Sequence, residues 1–240
     1  MLRAVFFDAA GTLFEAREPV GGTYARIARD FGLDAPDAAV TAGFRRAFGT
    51  APPLAFGPGR PADELRRLER QWWRTVVARS FEGLGDFRDF DGFFEALFAY
   101  FADPANWRAD DEARALLDRL KSSGLKLGVI SNFDYRVYRI LESLELKPFF
   151  DSITISSEAG YAKPRREVFE AALATNQLRP EEAIHVGDSR HLDFDASRAA
   201  GIAAVLIDAG QGEPLTIAEG TARIRSLAYL KEVTQVLFSA

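Results

Sequence analysis

The alternation of hydrophobic and polar positions changes rhythm twice along this chain. Near the start, Val5, Phe6 and Phe7 form a short apolar run after Arg3-Ala4. β-Branched and aromatic residues in so short a run predict a buried strand. Asp8 ends it, and Gly11-Thr12 supplies turn chemistry just beyond. Over residues 14–102 the period becomes helical. Tyr24, Ile27, Ala28 and Phe31 share one face of a helix that stops at Gly32, and Val40, Phe44, Ala47 and Phe48 continue in a second. Pro52, Pro53, Gly57, Pro58, Gly59 and Pro61 then punctuate a loop. A third helix is predicted over about 62–81, carrying Leu65, Leu68, Trp72, Trp73, Val76 and Val77, and a fourth over 90–101. The aromatic residues of this segment are expected to pack its core rather than to line a cofactor site.

After Pro104 the rhythm changes again. Predicted helices at 112–122, 135–144, 166–175 and 193–200 precede short apolar strands at 125–130, 152–155, 183–186 and 203–207 respectively. Such alternation is the pattern of a parallel sheet joined by right-handed crossovers. The strand at Val5 is expected to join that sheet, with the helical segment inserted after it. There is no internal repeat and no low-complexity tract. The tail from 210 to 240 carries a weak pattern, in which only a helix at 228–238 is predicted.

A chain of 240 residues can bury a substantial core as one large domain or two modest ones. With 48% hydrophobic and 27% charged residues it has an ordinary soluble composition. A net charge of −5 argues against nucleic-acid partners, which call for a basic surface. The absence of cysteine excludes disulfides, thiolate metal sites and thiol nucleophiles. Met1-Leu2-Arg3 leads directly into the first strand, leaving no room for a signal peptide, and the apolar run at 93–102, broken by Glu95, is too short to span a bilayer. A cytoplasmic protein, monomeric or homodimeric and without membrane partners, is therefore expected.

The predicted strands end in polar residues, which a parallel sheet gathers on one edge, where open α/β sheets bind ligands. The first offers Asp8 and the second Ser131-Asn132; Lys163-Pro164 follows the third, and Asp188, Ser189, Asp193 and Asp195 follow the fourth. Each has an ordinary structural explanation. Ser131 and Asn132 can cap a helix, Lys163 can be solvated, and the acids can complement a helix N-terminus. Together they suggest phosphoryl transfer through an aspartyl-phosphate, in which charge must be neutralised and the phosphoryl group held in line. Asp8 and Asp188 can share a Mg²⁺, a cation that prefers oxygen ligands. Ser131 with neighbouring amides, and Lys163, can hold phosphate oxygens. His185, inside a predicted strand, is expected to be packed and hydrogen-bonded. His191 lacks a partner at metal-ligand spacing.

The strings FFDAAGTLF, VISN, YAKP and VGDSRHLD, in that order, resemble the four motifs of the haloacid dehalogenase superfamily. The resemblance covers the sequence on both sides of the insert. It implies an α/β fold in which residues 1–14 and 103–240 form a Rossmann-like, three-layer parallel-sheet core. Residues 15–102 would be a helical cap of the C1 type. ISNFD, SSEAGYAKP, YARIARDFG and QWWRTVV are similar to the branch of rhythmically-expressed-gene-product-like hydrolases. The activity implied is that of a Mg²⁺-dependent phosphatase of a small phosphorylated metabolite. Asp8 would be the nucleophile, and the metal would be held by Asp8, the main-chain carbonyl of Ala10 and Asp188, with Asp193 as a supporting acid. Ser131 and Lys163 would contact the phosphoryl group, and Asn132, Gly11 and Thr12 would complete the substrate-binding set.

One position departs from that pattern. Phosphatases of the superfamily usually carry a second Asp two residues after the nucleophile as general acid and base, and here the residue is Ala10. Loss of such proton transfer typically costs about 10²–10⁴-fold in rate. Phosphonoacetaldehyde hydrolases also have Ala there but need a cap lysine, and none of Lys121, Lys126, Lys147, Lys163 and Lys231 lies in residues 15–102. Haloacid dehalogenases lack the second Asp too, but do not keep the Gly-Asp metal site seen here as Gly187-Asp188. A phosphatase without its usual acid is the favoured reading, and Glu15 and Glu18 are the nearby acids in sequence that could replace it. A phosphate- or partner-binding module that has lost turnover is the alternative from a different class. Arg26, Arg45, Arg46 and Arg60 are candidates for a second anionic group on the substrate, or simply for a solvated helix face.

Overall fold

The structure, a computed structural model, describes residues 1–210, 213–218 and 220–238. In chain order it comprises β1 (Ala4–Phe7), β2 (Phe14–Ala16), α1 (Val20–Asp30), α2 (Asp37–Thr50), α3 (Ala62–Ser80), α4 (Phe90–Ala102), β3 (Trp107–Ala109), α5 (Ala113–Ser122) and β4 (Lys126–Ser131). There follow α6 (Arg136–Ser143), β5 (Ser152–Ile155), α7 (Ser156–Ala159), α8 (Arg166–Asn176), β6 (Ala183–Gly187), a π-type turn at Arg190–Asp195, and α9 (Ala196–Ala199). The chain closes with β7 (Ala203–Ile207), β8 (Leu215–Ala218), β9 (Thr221–Ile224) and α10 (Leu230–Phe238).

Seven strands form one sheet in the order β5-β4-β1-β6-β7-β9-β8. All neighbours run parallel except the antiparallel pair of β8 and β9. β1 is central, and Phe7 pairs with Val129 of β4 and Val186 of β6. All four residues of β1 and all five of β6 are buried, as expected for strands covered on both faces. The α8 residues Val168, Phe169, Ala172 and Leu173 pack with Phe6 and Ile130 on one side of the sheet. This α/β architecture is the one expected from the alternating strands and helices.

The β8–β9 hairpin was not expected. Each strand has only four residues, and their burial alternates between half-buried and exposed in β8 and half-buried and buried in β9. So short and mixed a pattern is a faint local signal, and docking of β9 on β7 supplies the rest. The predicted helix at 193–200 instead begins as the π-type turn at Arg190. Hydrogen bonds from the amides of Asp193 and Phe194 to the Ser189 carbonyl, 3.0 and 3.1 Å, open it.

The chain divides into two compact units: residues 1–15, 55–60 and 109–240, and residues 16–54 with 61–108. The short loop 55–60, although it links α2 to α3, therefore counts with the sheet-bearing unit. A Cβ on Gly160, which has φ of +80°, would lie 2.3 Å from the carbonyl carbon of Gly57 and the nitrogen of Pro58. Only glycine admits that approach. The helical unit has its own aromatic core, in which Tyr24 meets Phe44 at 5.2 Å, Phe81 meets Phe93 at 5.3 Å, and Phe87 stacks on Phe93 at 4.5 Å. Its aromatics pack as expected.

Candidate active site

Parallel pairing puts the carboxyl ends of β1, β4 and β6 side by side, and the residues just past them converge. The Asp8 amide donates to the Val186 carbonyl at 2.9 Å, which continues the ladder one step beyond β1. The chain then turns sharply, with the amides of Thr12, Leu13 and Phe14 all directed at the Ala9 carbonyl (2.8–3.3 Å). Ala10 lies within this turn, bridged to Phe14. Thr12 is buried, and its hydroxyl has no hydrogen-bond partner among the described residues.

Lys163 is the centre of the charge network. Its side chain is 2% exposed, and its Nζ lies 2.8 Å from Asp8 Oδ1 and 2.5 Å from Asp193 Oδ1. The contact with Asp193 is a hydrogen bond. That with Asp8 is close enough for an ion pair but off the hydrogen-bonding angle. Burial alone would depress the ammonium pKa, but the two carboxylates outweigh it and raise the pKa above its ordinary value. Asn132 aligns the backbone beneath: its Oδ1 accepts from the Lys163 amide at 2.8 Å and its Nδ2 donates to the Lys163 carbonyl at 2.9 Å. The Asn132 side chain is thus engaged within the protein. Ser131, at the end of β4, is buried.

Asp193 Oδ1 takes both Lys163 Nζ and His185 Nε2, the latter at 2.9 Å, and its Oδ2 accepts from the Ser189 amide at 3.0 Å. Desolvation works against the charged form of this 1%-exposed carboxylate, but the Lys163 charge and the His185 hydrogen bond hold its pKa well below the usual range. Asp188 is the opposite case. It is exposed, and partial desolvation together with the negative charges of Asp8 and Asp193 pushes its pKa up to about 6. Two glycines make this crowding possible. A Cβ at Gly11, where φ is +89°, would lie 2.7 Å from Asp188 Oδ2, and one at Gly187 would lie 2.3 Å from Asp193 Cγ.

One oxygen from each of Asp8, Asp188 and Asp193 lies within 4.8 Å of the others, a grouping that can hold a cation. Hard carboxylate oxygens suit a hard divalent ion. The raised pKa of Asp188 is what a cluster short of one positive charge produces. Asp193 already spends both oxygens on protein donors, so Asp8 and Asp188 are the carboxylates available to a metal.

Several relationships escaped the sequence reading. His185 is packed and hydrogen-bonded as expected, but its partner Asp193, eight residues on, was not foreseen. A lone polar side chain in the apolar run AIHVG was the available signal, because buried polar groups find partners. Asp134 and Arg136, both buried, form a bidentate pair at 2.8 and 2.7 Å just after β4. His191 is exposed. In the helical unit, Glu18 Oε2 accepts from Thr23, Arg26 and Tyr100 at 3.1–3.4 Å. That ties down one of the two acids considered as a substitute proton donor, and one of the arginines considered for anion binding. Arg60 Nε bonds the Phe56 carbonyl of its own loop.

A family model described as a haloacid dehalogenase-like hydrolase matches residues 2–201. The chain is a haloacid dehalogenase-like hydrolase. Among curated relatives of this family, haloacid dehalogenase-like hydrolase domain-containing protein 3 of Homo sapiens is 35% identical over 86% of this chain and 82% of its own length. The rhythmically expressed gene 2 protein of Drosophila melanogaster is 26% identical over 85% and 82%. Both agree with the branch suggested by the sequence strings. A solved haloacid dehalogenase-family phosphatase from Thermococcus onnurineus superposes with a TM-score of 0.66 at 21% identity, covering 97% of this chain and 98% of that one. That similarity concerns the fold. Among the described residues no helix of this hydrolase is long and apolar enough to cross a membrane.

Proposed function

We propose that this hydrolase is a Mg²⁺-dependent phosphatase of small phosphorylated metabolites that works through an aspartyl-phosphate on Asp8. The observation that carries the reading is the buried Lys163 ammonium 2.8 Å from Asp8, beside a second available carboxylate, Asp188, set against Gly11. Asp8 and Asp188, with the Ala10 carbonyl, would hold the metal, which when bound neutralises phosphoryl oxygen charge. Lys163 supplies the opposing positive charge beside Asp8, while Ser131, Gly11 and Thr12 border the phosphoryl position. A carboxylate oxygen of Asp8 attacks phosphorus as the bond to the leaving oxygen breaks. Water then attacks the same phosphorus, releasing inorganic phosphate and restoring Asp8.

Position 10 offers a methyl group, so the leaving oxygen receives no proton from that side chain. Acyl and aryl phosphates, whose leaving groups need little protonation, are accordingly the expected good substrates. The inserted helical unit would act as the cap that selects among them. Hydrolysis of acetyl phosphate and p-nitrophenyl phosphate, with Mg²⁺ or EDTA, by wild type and Asp8→Asn tests the reading. Mg²⁺-dependent turnover that disappears in the variant is expected. Turnover no greater than the variant's on both compounds refutes it and favours a binding module, while release of halide from chloroacetate would indicate dehalogenation.

A further inference from the structure

The motifs account for Asp8, Lys163, Asp188 and Asp193, but they leave His185 without a task. It is the one ionisable side chain in a strand otherwise made of Ala, Ile, Val and Gly, paired between Phe6 and Ala204. Its side chain is fully buried, and the Phe169 ring packs edge-to-face at 5.3 Å. Nε2 meets Asp193 Oδ1 at 2.9 Å, whereas Nδ1 is buried with no hydrogen-bond partner among the described residues. An ionised carboxylate only accepts, so the Nε2 proton must belong to the ring. A proton on Nδ1 as well would leave a buried donor unsatisfied. The arrangement therefore selects a ring that carries a proton on Nε2 and donates it to Asp193.

This choice bears on Lys163, because the same oxygen, Asp193 Oδ1, also accepts from Lys163 Nζ at 2.5 Å. The ammonium is shared between a directional bond to Asp193 and an ion pair with Asp8. Any rise in the hydrogen-bonding appetite of Asp193 draws Nζ away from Asp8. Donation from His185 and from the Ser189 amide lowers that appetite. Asn132 fixes the Lys163 backbone but not the end of its side chain.

We propose that His185 is a positioning residue: through its Nε2 proton it partly satisfies Asp193 and so leaves the Lys163 ammonium free to act at Asp8. The kinetic consequence rests on the phosphatase reading; the geometry does not. His185→Phe removes the donor and keeps a ring beside Phe169, and His185→Gln restores a donor at nearly the same reach. Crystal structures of the two variants provide a readout independent of turnover. Nζ should leave Asp8 in the Phe variant and stay in contact with it in the Gln variant. An unchanged Lys163–Asp8 contact in His185→Phe overturns the proposal. So does a wild-type nitrogen-15 NMR spectrum that places the His185 proton on Nδ1. With acetyl phosphate and Mg²⁺, kcat of the Phe variant should fall about tenfold with KM nearly unchanged, the value of one charge-assisted hydrogen bond, and the Gln variant should recover most of it. Equal loss in both variants would reduce His185 to a packing role and overturn the proposal. A wild type that turns over neither test compound would sink the phosphatase reading alone, leaving the variant structures and the spectrum to decide on His185.

Discussion

Replacing Lys163 by Met keeps most of the aliphatic stem and removes the charge on which the site is centred. In the native chain that charge lies 2.8 Å from Asp8 and 2.5 Å from Asp193, with side chains 2% and 1% exposed for Lys163 and Asp193. The variant leaves these carboxylates, and Asp188 beside them, facing one another without the compensating charge. Removing one partner of a buried ion pair typically costs about 3–5 kcal/mol. At about 2–4 °C per kcal/mol for a chain of this size, Tm should fall by roughly 6–20 °C. The pH dependence follows from linkage. The raised pKa of Lys163 means that its stabilisation is complete below about pH 10 and is lost only as pH rises further. The depressed pKa of Asp193 means that its contribution is complete above about pH 4 and is lost on acidification. The deficit is therefore greatest around neutral pH and shrinks in acid, and Mg²⁺ should raise Tm more in the variant than in wild type. Trp72, Trp73 and Trp107 all lie in the helical unit. Hydrogen exchange at the amides of β1 and β6, rather than fluorescence, is thus the assay to pair with the melt. A loss below about 1 kcal/mol, the value of an exposed pair, would refute a buried, charge-compensated site.

The raised pKa of Asp188 makes the metal-free protein gain stability as pH falls through about 6, because the folded state binds that proton more tightly than the unfolded chain. Urea titrations on either side of that value should show the gain, and its persistence in Asp188→Asn or at saturating Mg²⁺ would contradict the assignment. Gly11→Ala places a Cβ 2.7 Å from Asp188 Oδ2 at a backbone φ of +89°. Calorimetry should find Mg²⁺ affinity lowered by about tenfold or more, corresponding to roughly 1.4 kcal/mol of strain; unchanged affinity would mean that Asp188 is not held against this loop for a cation. Substituting Glu15→Gln and Glu18→Gln should leave the pH profile of hydrolysis unchanged, in keeping with the commitment of Glu18 to Thr23, Arg26 and Tyr100. A lost limb of the profile would identify a substitute acid.

The sequence by itself determined most of the elements and nearly all the chemistry that could be collected at one edge. Strands such as Val5–Phe7 and residues 203–207 announce themselves because burial on both faces demands an unbroken apolar run, and the helices of the insert because one face repeats every three or four residues. Each is a local signal, readable without neighbours. Ordering short parallel strands side by side then brings Asp8, Ser131 and Asp188 together, since each follows a strand that ends on the same edge.

What only the tertiary structure decided is how the polar atoms are shared. The Asn132 side chain pairs with the backbone of Lys163, a residue of another loop. Asp193 was read as a supporting acid, and the fold makes it the acceptor for both Lys163 and His185. The loop 55–60 joins the sheet-bearing unit because two glycine backbones can touch at Gly57 and Gly160, more than a hundred residues apart. The β8–β9 hairpin depends in the same way on the edge that β7 offers it. Hydrophobic rhythm reports what a segment buries, but not which partner satisfies a given hydrogen bond. That choice belongs to residues brought within about 3 Å by the register of strands far apart in sequence.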